Sequence, residues 1–325
     1  MRRYLEDLVG GEFPRRDNIR VQGIAEIEGG WETAVYGFSL VYDEDGVSHS
    51  ADLVARFYPG LRGGERAARE ASVLRALARA RIPVPAVELE STQPSRHGSG
   101  VVVMQRIPGV LLTVELAGSV GLAAEMARCL VALHRLPIAA VFSGGLAPFE
   151  TPGFVAADPE AIAATVAHFG LVDFGPLVDR LAQRIPDEYP PSILHNDYHP
   201  ENIIVGDGGL VVIDWTFAGT GDYRLDLAWS AMWTGAMAGS QARAELVAGY
   251  EEAAHRAIDD LEYFETLKLG ARLMTIALWL DGAVEPPVPK LTPEVIVGDY
   301  KPTLMTVYER FRELTGIELR LFDQM

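Results

Sequence analysis

Lysine is nearly absent from this chain of 325 residues, which has only Lys268, Lys290 and Lys301. No lysine is therefore available as a cationic ligand in the first 267 residues. The sequence has no Walker A loop, the phosphate-binding motif that ends in lysine. It also has no G-x-S-x-G motif, which places the nucleophile of many serine hydrolases. These absences exclude two common classes of enzyme.

Cysteine and long apolar runs are also scarce. The single cysteine, Cys129, excludes an internal disulfide framework and is typical of a reducing compartment. The most apolar stretch, residues 110–127, is interrupted by Glu115 and Glu125 and is not expected to span a bilayer. The N-terminus turns acidic where a signal peptide would be apolar. We therefore expect a cytoplasmic protein with no membrane partner.

Basic residues are too few to balance the acidic ones. The 28 Lys and Arg residues against 45 Asp and Glu residues give a net charge of −17. This charge argues against a nucleic-acid partner, because such binding depends on neutralising phosphates. It is compatible with a cationic small molecule, although net charge reports on steering more than on a site. The length and the 49% of hydrophobic residues predict a globular protein with room for two lobes.

The most informative stretch is residues 193–217, which read ILHNDYHPENIIVGDGGLVVIDWTF. A short apolar strand leads into a polar loop with Pro200, and a predicted β-hairpin with a glycine-rich turn follows. Because Asp214 follows the second strand of this hairpin, we expect it to return to the neighbourhood of Asn202. Asp197 lies in the same loop. Carboxylate and carboxamide oxygens of this kind suit a hard cation such as Mg²⁺.

The spacing of these residues resembles that of a known family. His195 to Asn202 form H-x-D-x-x-x-x-N, and Ile213 to Trp215 form I-D-W, as in the aminoglycoside phosphotransferase and choline kinase-like family of small-molecule kinases. The resemblance implies that Asp197 is the catalytic residue and that Asn202 and Asp214 bind Mg²⁺. It also implies ATP as phosphoryl donor and a small-molecule hydroxyl as acceptor, in an amino sugar, an amino alcohol or an antibiotic-like compound.

Residues 21–105 read as a small sheet with one helix. Predicted strands cover residues 21–28, 35–42 and 51–58, and a helix covers residues 65–80. Alternation places Arg56 on one face of the third strand, and helical spacing places Glu70 on the apolar stripe of the helix. A carboxylate that faces inward needs a cationic partner, so we expect Arg56 to meet Glu70. In the family that position is a lysine, and arginine is the main departure.

The resemblance also implies the nucleotide-binding residues. The phosphate-binding turn corresponds to residues 29–33, and the hinge that accepts adenine corresponds to residues 104–110. The expected nucleotide-binding residues are Gly29, Gly30, Thr33, Arg56, Glu70, Gln105 and Ile107. An ordinary hairpin and a strand ending in a Pro-Gly turn explain the same patterns without a ligand.

The expected architecture is an α+β, bilobal, protein-kinase-like fold. A small β-rich N-terminal lobe covers residues 1–104, and a larger, mainly helical lobe covers residues 105–325, with ATP in the cleft. In the second lobe, the resemblance implies that Asp226 holds the catalytic loop through backbone N–H groups. A helix first-turn aspartate explains Asp226 equally well.

Two other functions remain open. A nucleotide-binding pseudokinase is one, because Arg56 replaces the family lysine and its planar fork does not reproduce an ammonium. A metallohydrolase is the other, because His195, Asp197 and His199 fall at alternate positions and could supply a zinc site. The acceptor and the oligomeric state do not follow from the sequence.

Overall fold

The computed structural model describes residues 1–27, 33–119, 121–142, 154–286 and 292–325. The described residues fall into two compact units. The first, here called the sheet unit, comprises residues 1–109, 139–143 and 204–216. The second, here called the helical unit, comprises residues 110–138, 144–203 and 217–325. An antiparallel sheet in one unit and helices in the other confirm the predicted α+β class.

The sheet unit contains a five-stranded sheet in the order β1-β2-β3-β5-β4, and each neighbouring pair is antiparallel. Its strands are β1 (Arg16–Glu26), β2 (Ala34–Glu44), β3 (Val47–Tyr58), β4 (Val87–Ser91) and β5 (Gly100–Gln105). Its helices are α1 (Arg2–Glu12), α2 (Gly63–Arg79) and the short α5 (Ile138–Val141). Asp45 and Gly46 both have positive φ, which makes the tight turn between β2 and β3.

The core of the sheet unit confirms the alternation predicted for β3. Leu53, Ala55 and Phe57 are buried together on one face of the strand. Leu5 and Val9 of α1 pack into the same cluster, one turn apart on the helix. Sequence reasoning missed α1, because its two glycines obscured an amphipathic helix of only three turns.

The predicted hairpin after the polar loop is present in the sheet unit. Its strands are β8 (Ile203–Gly206) and β9 (Gly209–Val212). The Val212 N–H donates to the carbonyl of Pro83 at 3.0 Å, which ties the hairpin to the chain entering β4. Asp214 lies two residues after the end of β9 and belongs to this unit.

The helical unit is built mainly from packed helices. Its helices are α3 (Leu112–Leu116), α4 (Leu122–His134), α6 (Pro159–Phe169), α7 (Gly175–Gln183), α8 (Tyr223–Ala254), α9 (Leu261–Leu280), α10 (Pro293–Val297), α11 (Lys301–Thr315) and α12 (Arg320–Asp323). Its short strands are β6 (Val110–Leu111), β7 (Ser192–Leu194) and β10 (Gly219–Gly221), and 3₁₀ turns cover Val172–Phe174 and Pro200–Asn202.

Helix α8 organises this unit. It is kinked at Gly239, whose φ of 87° lies outside the helical range. It passes close to α4 at Gly249, where a Cβ atom would lie 2.8 Å from the Cα of Ala124. Ala228 and Met232 of α8 pack into an apolar cluster with α7, α9 and α11. The first turn of α8 is thereby fixed against a rigid core.

Sequence reasoning did not predict strand β10. Residues Gly219–Gly221 pair antiparallel with β7. Glycine-rich segments carry little strand signal, so pairing across distant residues decided the structure here. The pairing fixes the end of β7, from which the polar loop of residues 195–202 begins. None of the described helices has the length and apolar character needed to cross a membrane.

Candidate functional site

The polar loop after β7 carries the predicted catalytic residue. Asn196 adopts a left-handed conformation with φ of 66°, and its Nδ2 donates to the carbonyl of Phe217 at 2.9 Å. A strained residue of this kind persists only where its surroundings hold it. The loop then turns through the 3₁₀ segment Pro200–Asn202. All of these residues belong to the helical unit.

Asp226, in the first turn of α8, holds this loop. Its carboxylate accepts hydrogen bonds from the N–H groups of His195 at 2.7 Å and Asn196 at 2.8 Å. Burial opposes ionisation of Asp226. The hydrogen bond and charge of His134, with the charges of His195 and Lys268, nevertheless lower the pKa of Asp226. The predicted contact with the loop is confirmed.

Asp197 is fixed at both carboxylate oxygens. Oδ1 accepts from the indole Nε1 of Trp229 at 3.0 Å, and Oδ2 accepts from Nδ2 of Asn202 at 3.0 Å. Burial opposes ionisation, but the charge and hydrogen bond of His199, the charge of His195 and the Trp229 indole hold the pKa of Asp197 below its usual value. Asp197 is therefore an ionised, oriented acceptor at neutral pH.

Sequence reasoning missed Trp229. It lies three residues after Asp226 on α8, so both side chains leave the same helix face toward the loop. That spacing was a usable signal once Asp226 was assigned to the loop. Trp229 shows that α8 both holds the loop backbone and orients the Asp197 carboxylate.

Asn202 has a defined amide orientation. Its Nδ2 donates to the carbonyl and to the carboxylate of Asp197, at 2.9 and 3.0 Å. The nitrogen end of the amide donates both of these hydrogen bonds, so the oxygen atom Oδ1 is the end suited to a cation. Asn202 belongs to the helical unit and Asp214 to the sheet unit, so the expected proximity of the two residues stays a prediction.

The two histidines of the loop serve its own structure. Nδ1 of His195 accepts from the Asp197 N–H at 3.2 Å, and Nδ1 of His199 accepts from the Glu201 N–H at 3.3 Å. His195 is fully buried. In the part of the chain that the structure describes, no group of three His, Cys, Asp or Glu side chains is arranged to hold a metal. The geometry gives no support to the zinc alternative.

The second cluster of predicted site residues lies in the sheet unit, around Arg56. Its Nη1 donates to Oε1 of Glu70 at 2.9 Å, as the sequence predicted. Its Nη1 and Nη2 each lie 2.8 Å from one carboxylate oxygen of Asp214. Its Nε donates to Oγ1 of Thr33 at 2.9 Å. The contact with Asp214 joins residues 158 positions apart, and sequence reasoning did not find it.

Glu70 is the most deeply buried member of this cluster, with 1% of its surface exposed. It accepts from the N–H of Trp215 at 3.0 Å and lies 3.5 Å from the hydroxyl of Thr216. Burial raises the pKa of Glu70 to about 7, with a contribution from Asp214 and against the opposing charge of Arg56. Asp214 itself has a left-handed backbone, with φ of 61°. The cluster therefore fixes the segment after β9 onto α2.

The predicted hinge follows β5 in the sheet unit. The Gln105 N–H donates to the carbonyl of Ala86 at 2.8 Å, and the chain then passes Ile107 to reach Gly109. Gly109 has φ of 147°, and a Cβ there would lie 2.2 Å from the carbonyl oxygen of Val205. Only glycine fits this approach of the hinge to the β8–β9 hairpin. Gly29 and Gly30 of the expected phosphate-binding turn lie outside the described residues.

A family model described as "Phosphotransferase enzyme family" matches residues 23–262. Among curated protein sequences, none matches the chain.

Several solved structures share the fold over nearly the whole chain. A candidate aminoglycoside phosphotransferase from Ralstonia eutropha JMP134 has a TM-score of 0.66 at 19% identity, covering 95% of this chain and 98% of that one. The macrolide 2'-phosphotransferase of Brachybacterium faecium has a TM-score of 0.61 at 21% identity, covering 91% and 98%. The GDP and kanamycin complex of an aminoglycoside phosphotransferase of type IIIa has a TM-score of 0.59 at 16% identity, covering 97% and 99%. At these identities the likeness establishes the fold.

Proposed function

Because this chain belongs to the phosphotransferase enzyme family, we propose that it transfers the γ-phosphoryl group of ATP to a hydroxyl group of a small molecule. The observation that supports this most directly is the fixed Asp197 carboxylate. Trp229 and Asn202 hold its two oxygens while Asp226 holds the loop backbone. A carboxylate whose two oxygens are both held by hydrogen bonds is well placed to align the hydroxyl group of an acceptor.

The ionised and fixed carboxylate of Asp197 defines its part in the reaction. Phosphoryl transfer passes through a loose transition state, in which positioning and electrostatics carry most of the catalysis. Asp197 accordingly accepts a hydrogen bond from the hydroxyl, aligns its oxygen and takes the proton as the new P–O bond forms.

Asn202 and Asp214 are the proposed Mg²⁺ ligands. Each residue has oxygen atoms that suit the ion, namely Oδ1 of the Asn202 amide and the carboxylate oxygens of Asp214. Oxygen donors of this type are the ligands that Mg²⁺ prefers. Bound Mg²⁺ would neutralise charge on the nucleotide phosphates.

The proposed nucleotide-binding residues are Gly29, Gly30, Thr33, Arg56, Glu70, Gln105 and Ile107. Glu70 and Thr33 position Arg56 in the structure, which supports a role for Arg56 beside the phosphates. For Arg56 to hold a phosphate, part of its contact with Asp214 must be exchanged. Because a structural neighbour binds GDP, both ATP and GTP are candidate donors.

A nucleotide-binding pseudokinase is the second candidate, and the contact between Arg56 and Asp214 favours it. Two nitrogens of Arg56 hold the two oxygens of the Asp214 carboxylate, which is proposed to bind Mg²⁺. This ion pair competes with a cation for the same oxygens. In an active kinase this pair must open when nucleotide and Mg²⁺ bind. In a pseudokinase it would persist.

Nucleotide binding and turnover distinguish the two candidates. Calorimetric titration with ATP and GTP, each with and without Mg²⁺, measures whether the metal strengthens binding. An assay of nucleoside diphosphate release then tests amino sugars, amino alcohols and antibiotics as acceptors. An active kinase requires Mg²⁺-dependent binding and acceptor-dependent release. Mg²⁺-independent binding without release favours the pseudokinase, and failure to bind either nucleotide contradicts both.

A further inference from the structure

Two cations of α9 share one face of the helix, at positions 268 and 272. Side chains four residues apart on a helix are neighbours. The Nζ of Lys268 lies 5.4 Å from the ring centroid of Trp229, and the guanidinium carbon of Arg272 lies 5.7 Å from that of Trp279. Both side chains are partly buried. Burial lowers the pKa of each, which places both in a region poor in water.

Within the described ranges, no salt bridge joins Lys268 or Arg272 to a carboxylate. Glu265, one turn before Lys268, is held instead by Arg243 and by Arg310, the latter at 3.0 Å. The buried carboxylate of Asp226 is taken by the backbone of the loop. Partly buried cations without a carboxylate partner are costly, so they suggest an anion that binds at this place.

Both cations lie on the part of α9 that faces Trp229 and the Asp197 loop, because Lys268 contacts the Trp229 ring and Arg272 follows it by one helical turn. The charges of Asp226 and then Asp197 oppose the lowering of the pKa of Lys268, and the charge of Asp197 opposes it at Arg272. Trp229 provides the physical link, because its Nε1 binds Asp197 while its ring lies against Lys268. An acceptor with its hydroxyl on Asp197 therefore meets Lys268 and Arg272 with its remaining atoms.

Lys268 and Arg272 supply positive charge near the Asp197 carboxylate in a chain whose net charge is negative. A net charge of −17 attracts cations at long range, but salt screens such attraction over a Debye length of roughly 8 Å at physiological ionic strength. Close to Asp197, Lys268 and Arg272 are positioned to attract an anionic part of an acceptor. A polycationic acceptor would place an ammonium group against them.

We propose that the acceptor is an alcohol that carries an anionic group, a carboxylate or a phosphate ester, bound by Lys268 and Arg272 while its hydroxyl lies on Asp197. This proposal rests on the proposed kinase function. In the reaction, the hydroxyl oxygen forms a bond to the γ-phosphorus. The bond from that phosphorus to the β–γ bridging oxygen breaks, and the nucleoside diphosphate leaves with the electron pair. The hydroxyl proton passes to Asp197 and then to solvent.

The test compares matched alcohols that differ in charge. Isothermal titration calorimetry in 150 mM salt (roughly the physiological ionic strength) measures binding of glycerate and ribose 5-phosphate, of neutral glycerol and ribose, and of cationic choline and kanamycin. The protein is the full chain with Mg²⁺ and a non-hydrolysable ATP analogue. The anionic alcohols should bind more tightly than their neutral partners, and the carboxylate and phosphate arms identify the anion. Equal binding of anionic and neutral partners, or tighter binding of the cations, overturns the proposal.

Three variants assign the effect to the two cations. Lys268→Met and Arg272→Met should each weaken binding of the anionic alcohol roughly 10- to 100-fold, the range for one hydrogen bond to a charged group. Lys268→Arg should retain most of the affinity. Arg3→Met removes the same charge from an exposed site and should change nothing. Unchanged anion binding in both Met variants contradicts the proposal.

A separate titration with the nucleotide alone distinguishes this inference from the kinase function. If Lys268→Met weakens nucleotide binding and leaves anion binding intact, the two cations serve the nucleotide phosphates, and the proposal is wrong. If the wild type binds neither ATP nor GTP, the kinase function itself fails, whichever alcohols bind. Calorimetry measures the preference among alcohols without turnover. Failure of the acceptor proposal can therefore be distinguished from failure of the proposed kinase function.

Discussion

Arg56 binds both carboxylate oxygens of Asp214, through two terminal nitrogens that each lie 2.8 Å from an oxygen. The same guanidinium holds Glu70 and the hydroxyl of Thr33. A lysine ammonium is a point charge and cannot reproduce this planar fork. Arginine at this position therefore connects β3, α2 and the segment after β9 in a way that a lysine could not.

The first prediction concerns the substitution of Arg56. Arg56→Ala should lower the free energy of unfolding by about 3–5 kcal/mol, the usual cost of leaving one partner of a buried ion pair alone. Arg56→Lys keeps the charge but is too compact for three partners, so it should be intermediate and should weaken ATP binding. Urea denaturation and calorimetry measure the two effects, with Arg3→Ala as the exposed control. Equal ATP affinity in the wild type, Arg56→Ala and Arg56→Lys would remove Arg56 from the nucleotide site.

The second prediction concerns pH and Glu70. Burial raises the folded-state pKa of Glu70 to about 7, from an ordinary value of 4.5. Between these two pKa values, Glu70 holds a proton in the folded state that it has released in the unfolded state. The stabilisation that results is fully present below about pH 4.5 and is lost as the pH rises through 7. The free energy of unfolding should fall over this window in the wild type and change less in Glu70→Gln. Denaturation at several pH values measures it, and identical slopes would contradict the shift.

The third prediction concerns the hinge glycine. Gly109→Ala should destabilise the protein by about 2–5 kcal/mol, since backbone strain and overpacking each cost roughly 1–3 kcal/mol. Gly118→Ala is the matched control, because a Cβ there meets nothing within 4 Å. Thermal or urea denaturation of both variants makes the comparison. A Gly109→Ala variant as stable as Gly118→Ala would show that the hinge can move away from Val205.

The fourth prediction concerns Asp226. In Asp226→Asn only one side-chain atom can accept, so one of the two N–H groups of the loop loses its partner. The loop should shift and kcat should fall roughly 100-fold, as misplacement of a catalytic group by about 1 Å can cost. The affinity for nucleotide should change little. Asp207→Asn, in the exposed turn of the β8–β9 hairpin, is the control for charge, and an equal kcat in both variants would contradict this role.

Local patterns predicted the parts of the structure that depend on local physics. Alternation in β3 and helical spacing in α2 placed Arg56 and Glu70 correctly, because each face of these elements is set by burial. Strand β10 and helix α1 were missed, since glycine-rich segments gain their structure from pairing and packing with distant residues. The long-range contacts were missed for the same reason.

In the candidate site too, residues close together in the sequence were predicted and residues far apart were missed. The loop residues Asp197 and Asn202 were predicted from their spacing, and their mutual contact follows from a tight turn. Trp229 and Lys268 come from helices far along the chain, and only tertiary packing reveals that they lie near Asp197. Composition gives only the net charge of the chain. It could not predict the charged residues near the reaction centre or the class of acceptor inferred from them.

The most direct test of the account is transfer of labelled phosphate. The γ-phosphate of ATP or GTP carries ³²P, and the products from wild type and from Asp197→Asn are separated after reaction with the panel of charged and neutral alcohols. A labelled phosphate ester should form with the wild type only when Mg²⁺ is present, and it should be absent with Asp197→Asn, whose nucleotide affinity should be nearly unchanged. Label transfer at the wild-type rate by Asp197→Asn, or label found only in inorganic phosphate, would contradict it.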